Sequence, residues 1–257
     1  MKKTNTYFIR SYLSNAPPFM SVIRTQEAML FTQNSRYIKR PVVDFGCGDG
    51  FFTQTVFGKR IIDVGLDLIN NPRIERAVKN KVYKKILLYD GKIIPLKTGS
   101  IQTVISNCVL EHISDIESTV AEIYRILKPG GFFVGSVMTS QWSENLFGKR
   151  IFGKLYSSYM NKLQKHYSLL SATQWSNLFR NKNFTIVKKN GYLNKKSSEA
   201  LDIWHYLSIP SLITYHFFNK WVVFPKLLKI MKIEDMVKKS LSGKDKLTAA
   251  LFFVLQK

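Results

Sequence analysis

Residues 42–52 constrain the chain more than any other stretch. Val42, Val43 and Phe45 are apolar and β-prone, Asp44 stands at the end of that run, and Gly46, Gly48 and Gly50 follow at alternate positions. Such a run reads as a buried strand feeding a glycine-rich turn, where the missing Cβ atoms let a ligand approach the backbone closely. The pattern then repeats. Strand-like residues 61–66 end at Asp67, and residues 82–88 are followed by Asp90, with short helical segments predicted at 50–57 and 73–79. Strands alternating with helices imply a parallel sheet whose ligand sits beyond the carboxyl ends of the strands.

Further along, residues 102–106 predict a fourth strand and 132–137 a fifth, with Lys128-Pro129-Gly130-Gly131 as the turn before it. Between them Ser114-Asp115-Ile116-Glu117 forms a capping-box pattern, and Ile116, Val120, Ile123 and Leu127 follow at helical spacing. A second such box, Ser171 to Gln174, precedes a helix carrying Trp175, Leu178 and Phe179, then a sixth strand at 184–187 and a last one within 248–255. The expected fold is α/β: a Rossmann-like, doubly wound, mostly parallel seven-stranded sheet with helices on both faces, an antiparallel last strand, and helical lid and cap insertions.

We read one domain over 1–257, divided into an N-terminal arm and helix (1–40), a cofactor-binding core (41–138), a lid (139–167) and a helical cap before the last strand (191–246). Pro17-Pro18 is expected to end an extended arm, and residues 19–33 to form a helix in which Arg24 pairs with Glu27 rather than gripping a ligand. The lid mixes Trp142, Phe147, Phe152, Tyr156, Tyr159 and Tyr167 with basic residues. In the cap, residues 203–224 are rich in aliphatic and aromatic side chains, interrupted by His205, Pro210, His216, Asn219 and Lys220; Lys226, Lys229, Lys232, Lys238 and Lys239 come after them. Two readings of that composition stand side by side: a cap packing its apolar face inward, or a face lying in a membrane interface.

Charge narrows the partners. Thirty-nine Lys and Arg against 17 Asp and Glu give a formal charge of +22, which suits an anionic surface or an anionic ligand, although a compositional Lys bias produces the same number. Cys47 and Cys108 lack metal-ligand spacing, and neither they nor the four histidines define a metal site. No secretory core follows Met1-Lys2-Lys3 and no stretch reads as a membrane span, so the expected setting is cytoplasmic, with room for peripheral contact at the inner face of a membrane.

The glycine turn fits two familiar motifs badly. A dinucleotide-binding fingerprint would place a third glycine where this chain has Phe51, and a P-loop would need Gly-Lys-Ser or Gly-Lys-Thr. Four ordered segments point elsewhere: Asp44 to Gly50; Gly65-Leu66-Asp67-Leu68; Asp90 to Leu96; and Ser106 to His112 together with Leu127 to Gly131. In these the chain resembles the class I S-adenosylmethionine-dependent methyltransferases, particularly the branch that includes ubiquinone and menaquinone C-methyltransferases. The resemblance covers residues 41–138 well and 166–187 more loosely.

That resemblance implies roles residue by residue. The backbone at Phe45, Gly46 and Gly48 would cradle the methionine part of the cofactor, with Asp44 orienting the turn. Asp67 would accept from the ribose hydroxyls and Leu68 pack on adenine; Asp90, beside Gly91, would accept from the adenine amino group, and Asn107 would lie near the sulfonium. Carboxylates satisfy such donors well. His112 is the first candidate for a catalytic base, with His166 and Tyr167 as second candidates, and each has a plain structural alternative in capping or packing. The product would be S-adenosylhomocysteine. The acceptor is expected to be a small molecule, lipophilic or membrane-associated. Charge alone favours an RNA methyltransferase instead, without any appended RNA-binding motif, and a non-catalytic S-adenosylmethionine-binding protein is the third reading.

Overall fold

The computed structural model describes residues 3–59, 61–218, 220–222, 232–241 and 247–257. Asn219, Lys226 and Lys229 of the expected basic insertion, and part of its apolar stretch 203–224, lie outside the described residues. By internal contacts the chain divides into two compact units, one of residues 1–30, 141–164 and 191–250, the other of 31–140, 165–190 and 251–257. The first therefore gathers residues from the N-terminal segment, the lid and the cap.

Seven strands, β1 (Val42–Phe45), β2 (Val64–Leu68), β3 (Lys85–Tyr89), β4 (Ile101–Asn107), β5 (Leu127–Met138), β6 (Thr185–Tyr192) and β7 (Ala250–Gln256), form one sheet in the order β3-β2-β1-β4-β5-β7-β6. The β1, β2, β3, β4 and β5 pairings are parallel. At the other side Gly130 N donates to Lys257 O and Lys257 N to Gly131 O, two residues opposing one with Gly130 at φ +71°, the bond pattern of a glycine bulge in an antiparallel pair, so β7 runs against β5. Chain order reverses on either side of β1, which places a crevice between β1 and β4 at the carboxyl ends of the strands.

At β7 both faces of the sheet are buried, whereas the edge strands β3 and β6 are mostly exposed or half-buried. Leu251, Phe253 and Leu255 of β7 join a core with Val120 and Ile123 of α5 (Ile116–Ile126) and Trp175 and Phe179 of α8 (Ala172–Asn181). Phe252, one residue out of step, turns its ring to Phe31, which also meets Phe52 and Phe57 of α3 (Phe51–Phe57). A strand buried on both faces must read as a continuous apolar run, and Leu251 to Leu255 do.

Several local expectations need correction. The N-terminal arm is not extended: Asn5–Asn15 form helix α1, with Thr4 accepting from Tyr7 N at its start and Phe8, Ile9, Tyr12 and Leu13 buried. Helix α2 (Pro18–Gln33) follows, and in it Arg24 pairs with a fully buried Glu27 at 2.6 Å. Strands β2 and β3 begin three residues later than expected, with α4 (Ile74–Lys79) between them; Ile62, Val82 and Tyr83 are buried but lie outside the ladder. The cap of α5 is Asp115, accepting from Ser118 N, and not Ser114. Residues 128–131 belong to the start of β5. The second capping box is as expected, with Ser171 and Gln174 bonding each other's backbone. The lid contains α6 (Gln141–Glu144) and α7 (Phe147–Leu163); in the cap region lie α9 (Lys195–Leu207), α10 (Ile209–Phe218) and α11 (Ile233–Ser240).

Candidate active site

Every proposed cofactor residue lies in the second unit, at the carboxyl ends of β1, β2, β3 and β4. Register explains the convergence. Asp44 pairs with Gly65, Asp67 with Leu88, and Asn107 with Ser136, so adjacent strands deliver their last side chains to one edge. Between them the chain after Phe45 folds back sharply: Gly46 N and Cys47 N both donate to Leu66 O, at 2.8 and 3.2 Å.

Two glycines in that turn are required by geometry. Gly46 has φ +74°, and a Cβ there would sit 2.5 Å from Val109 Cγ2. Gly48 has φ +51°, and nothing among the described residues lies within 4 Å of where its Cβ would be. The first is tight because the fold needs it so; the second borders open space, the form a ligand cradle takes.

Asp67 links the turn to the second strand. Its carboxylate accepts from Gly48 N at 2.7 Å, from Leu68 N at 2.8 Å and from Asn71 Nδ2 at 2.9 Å, while Leu68 beside it is exposed. Gly91 adjoins Leu68: a Cβ on Gly91 would stand 3.3 Å from Leu68 Cδ2. Asp90 is exposed and accepts from Lys92 N at 2.9 Å, a bond that holds its carboxyl below the usual carboxylate range. An exposed leucine, a glycine and two carboxylates therefore border one another at the ends of β2 and β3, which fits an adenosine with its flat apolar base and its hydroxyl and amino donors.

Asp44 is buried and does different work. It accepts from the hydroxyls of Thr53 and, at 2.6 Å, Tyr83, and burial still pushes its carboxyl up to about 6. It braces the turn from beneath. Sequence reasoning named Asp44 but missed Thr53 and Tyr83; the signal was available in the need of any buried carboxylate for donors. Asn107, at the end of β4, accepts from Ser136 Oγ at 2.7 Å.

The three candidate catalytic side chains also lie in this unit. His112 follows β4 in a short 3-10 turn and stacks on His166, with centroids 5.2 Å apart and planes at 26°. His112 Nδ1 lies 3.1 Å from Lys165 O. A carbonyl only accepts, so Nδ1 is the donor in this contact. Fully buried Glu111, also missed from sequence, anchors this pair: its Oε1 accepts from Met138 N at 3.1 Å, and its backbone carbonyl accepts from Tyr167 N and Ser168 N. The Tyr167 side chain points to solvent and is 67% exposed.

Burial, with His112 adding a smaller repulsion, pushes His166 down to about 4. The sign of its linkage follows. Between pH 6.5 and 4 the unfolded chain takes a proton on His166 that the folded chain refuses, so stability falls as pH drops through that window, by about 3 kcal/mol at its end. Asp44 has the opposite slope, gaining a proton in the folded state as pH falls from about 6 to 3.8. Urea melts of wild type and His166→Asn between pH 7 and 4 isolate the histidine: the wild type should lose more stability on acidification, and parallel curves would refute the assignment.

A methyltransferase domain model matches residues 43–135. Malonyl-[acyl-carrier protein] O-methyltransferase of Yersinia pestis is 35% identical over 99 residues, 38% of this chain and 36% of that protein, so the chain spans little more than a third of that curated relative's length. Among solved structures, a SAM-dependent methyltransferase of Archaeoglobus fulgidus superposes with TM-score 0.55 at 15% identity, covering 91% of this chain and 94% of that one. The [4+2]-cyclase SpnF superposes with TM-score 0.57 at 13% identity, covering 90% and 80%. At such identities the superpositions speak for the fold alone. With its ordered motifs, its strand order and the matched domain, the segment 43–135 is a class I, S-adenosylmethionine-dependent methyltransferase domain.

Proposed function

We propose that the protein transfers a methyl group from S-adenosylmethionine to a small lipophilic or membrane-associated acceptor, by in-line displacement. The observation that carries this reading is the open cradle at Gly48, bordered by Asp67, Leu68, Asp90 and Gly91 at the ends of β2 and β3. Bound there, the cofactor supplies an activated sulfonium methyl. What remains for this chain is to hold the donor, align the acceptor and exclude water. Asp67 and Asp90 would hold the adenosine; Phe45, Gly46 and Gly48 would line the methionine end with backbone, and Asn107 would stand near the sulfonium.

For an acceptor that loses a proton, His112 is our candidate base, because in the neutral ring the contact with Lys165 O leaves Nε2 able to take one. His166 and Tyr167 are secondary candidates on the same surface. We assign acceptor choice to residues 139–167 and 191–246, whose aromatic and aliphatic content favours a lipophilic molecule over RNA. The formal charge of +22 is the one feature that favours RNA instead.

Incubation with methyl-labelled S-adenosylmethionine and fractionated lipid, small-molecule, protein and RNA extracts tests the reading. Label should enter the lipid or lipophilic small-molecule fraction. Uptake into RNA would replace the acceptor assignment, and cofactor binding without uptake in any fraction would make the protein a non-catalytic binder.

A further inference from the structure

Helix α7 is built the wrong way round for a helix that ends at solvent. Its buried positions include Gly148, Ser157 and Met160, and polar bonds tie that side down within the first unit: Asp202 accepts from Gly148 N at 2.9 Å and from Tyr156 OH at 2.6 Å, and Ser157 Oγ donates to Ser143 O at 3.2 Å. Its outward side carries large apolar residues before and after a kink at Gly153, whose φ of +63° and ψ of −149° break the helix. Phe152 is 64% exposed and Leu155 83%, and Ile151, Tyr159 and Leu163 are exposed with them. A soluble helix normally does the reverse. A contiguous exposed apolar patch of this kind marks a surface that meets a partner.

The stripe continues onto neighbouring elements of the same unit. Phe152 lies 6.2 Å from Tyr156 ring to ring, and Tyr156 shares a 2.6 Å hydrogen bond with Tyr206 near the end of α9. Exposed Leu207 and Ile209 follow Tyr206, and α10 adds Leu212, Ile213 and Phe217, the last 73% exposed. These residues project outward, and protruding hydrophobes suit a soft apolar medium. Charge identifies which one: residues 147–163 hold Lys149, Arg150, Lys154 and Lys162 and no acid, and residues 209–218 also hold none; Lys149 pairs with Glu144 and Arg150 with Glu199, so Lys154 and Lys162 carry the outward charge. Lys154 and Lys162 are exposed among the apolar residues.

We infer that the outward side of α7, continued through Tyr206 and α10, is a docking face for an anionic bilayer surface. Phe152, Leu155, Tyr159 and Phe217 enter the acyl boundary while Lys154 and Lys162 meet acidic headgroups. The inference deepens the lipophilic-acceptor reading, since docking would bring the enzyme to the layer in which such an acceptor dissolves, but the docking does not depend on cofactor binding.

Co-sedimentation of the full chain with vesicles tests it. Wild type should be retained by phosphatidylcholine mixed with phosphatidylglycerol and largely lost on phosphatidylcholine alone. Phe152→Glu with Leu155→Glu should cut retention about tenfold or more, because both side chains are exposed and their replacement removes buried area and adds repulsion only at the bilayer. Lys154→Glu with Lys162→Glu, which spares the apolar stripe, should abolish the preference for phosphatidylglycerol. Retention of the first variant at the wild-type level, wild-type indifference to both vesicles, equal binding to neutral vesicles, or conversion of a dimer to a monomer by the first variant would each overturn the inference, the last pointing to a second copy as the cover. Calorimetry with S-adenosylmethionine on the same samples separates the claims: its failure in wild type removes the cofactor reading and leaves the vesicle result standing.

Discussion

Asp67→Ala should weaken S-adenosylmethionine binding by about a hundredfold, measured by calorimetry at neutral pH. Two losses combine. The carboxylate is proposed to accept from the ribose, and bonds to a charged acceptor are each worth about 1.5–3 kcal/mol when their partner has no substitute. It also accepts from Gly48 N at 2.7 Å and from Asn71, so its removal leaves the turn's own N–H without its acceptor. Asp67 is buried at the end of β2, so a denaturant melt of the variant should accompany the calorimetry and show a folded protein. Asp67→Asn, which keeps one acceptor oxygen, should fall between. Alanine and wild-type proteins binding alike would remove Asp67 from the cofactor site.

The second large effect separates two glycines that look equivalent in sequence. Gly46→Ala should cost about 2–4 kcal/mol of stability, the sum of a left-handed backbone that disfavours a Cβ and overpacking against Val109, whose methyl carbons would stand 2.5 and 2.6 Å away. Val109→Ala should recover part of that loss. Gly48→Ala carries only the backbone penalty, about 1–2 kcal/mol, because its Cβ would meet nothing among the described residues. Its larger effect should be on cofactor affinity, since the added methyl enters the space we assign to the ligand. Denaturant melts and calorimetry on both variants check the pairing; equal stability losses, or intact binding by Gly48→Ala, would show that the open space is not the cradle.

Much of the strand, turn and acid pattern between residues 42 and 107 was legible in the sequence. A strand, a glycine turn and an acid are each written within a few consecutive residues, and β1, β4, α5 and α8 stand close to where their patterns placed them. Errors arose where an apolar run was taken as a ladder. Ile62, Val82 and Tyr83 are apolar because they are buried, and burial does not require pairing. Helix α1 was hidden by its polar positions, although Phe8, Ile9, Tyr12 and Leu13 recur at helical spacing. At the start of α5 two adjacent residues could cap, and only the path of the chain selects Asp115 over Ser114.

Local chemistry thus determined the alternation of strands and helices, the turn after β1, and the acids Asp44, Asp67 and Asp90, because each depends on a backbone preference or a side-chain period confined to its own neighbourhood. Tertiary structure decided what depends on distant residues: that Thr53 and Tyr83 brace Asp44, that Glu111 holds His112 against His166, and that α7 turns its apolar side outward. A helical period reveals that a helix has two faces. Which face is buried is settled by the groups packed against it, and for α7 those are Asp202 and Ser143, respectively 54 residues from Gly148 and 14 from Ser157 along the chain.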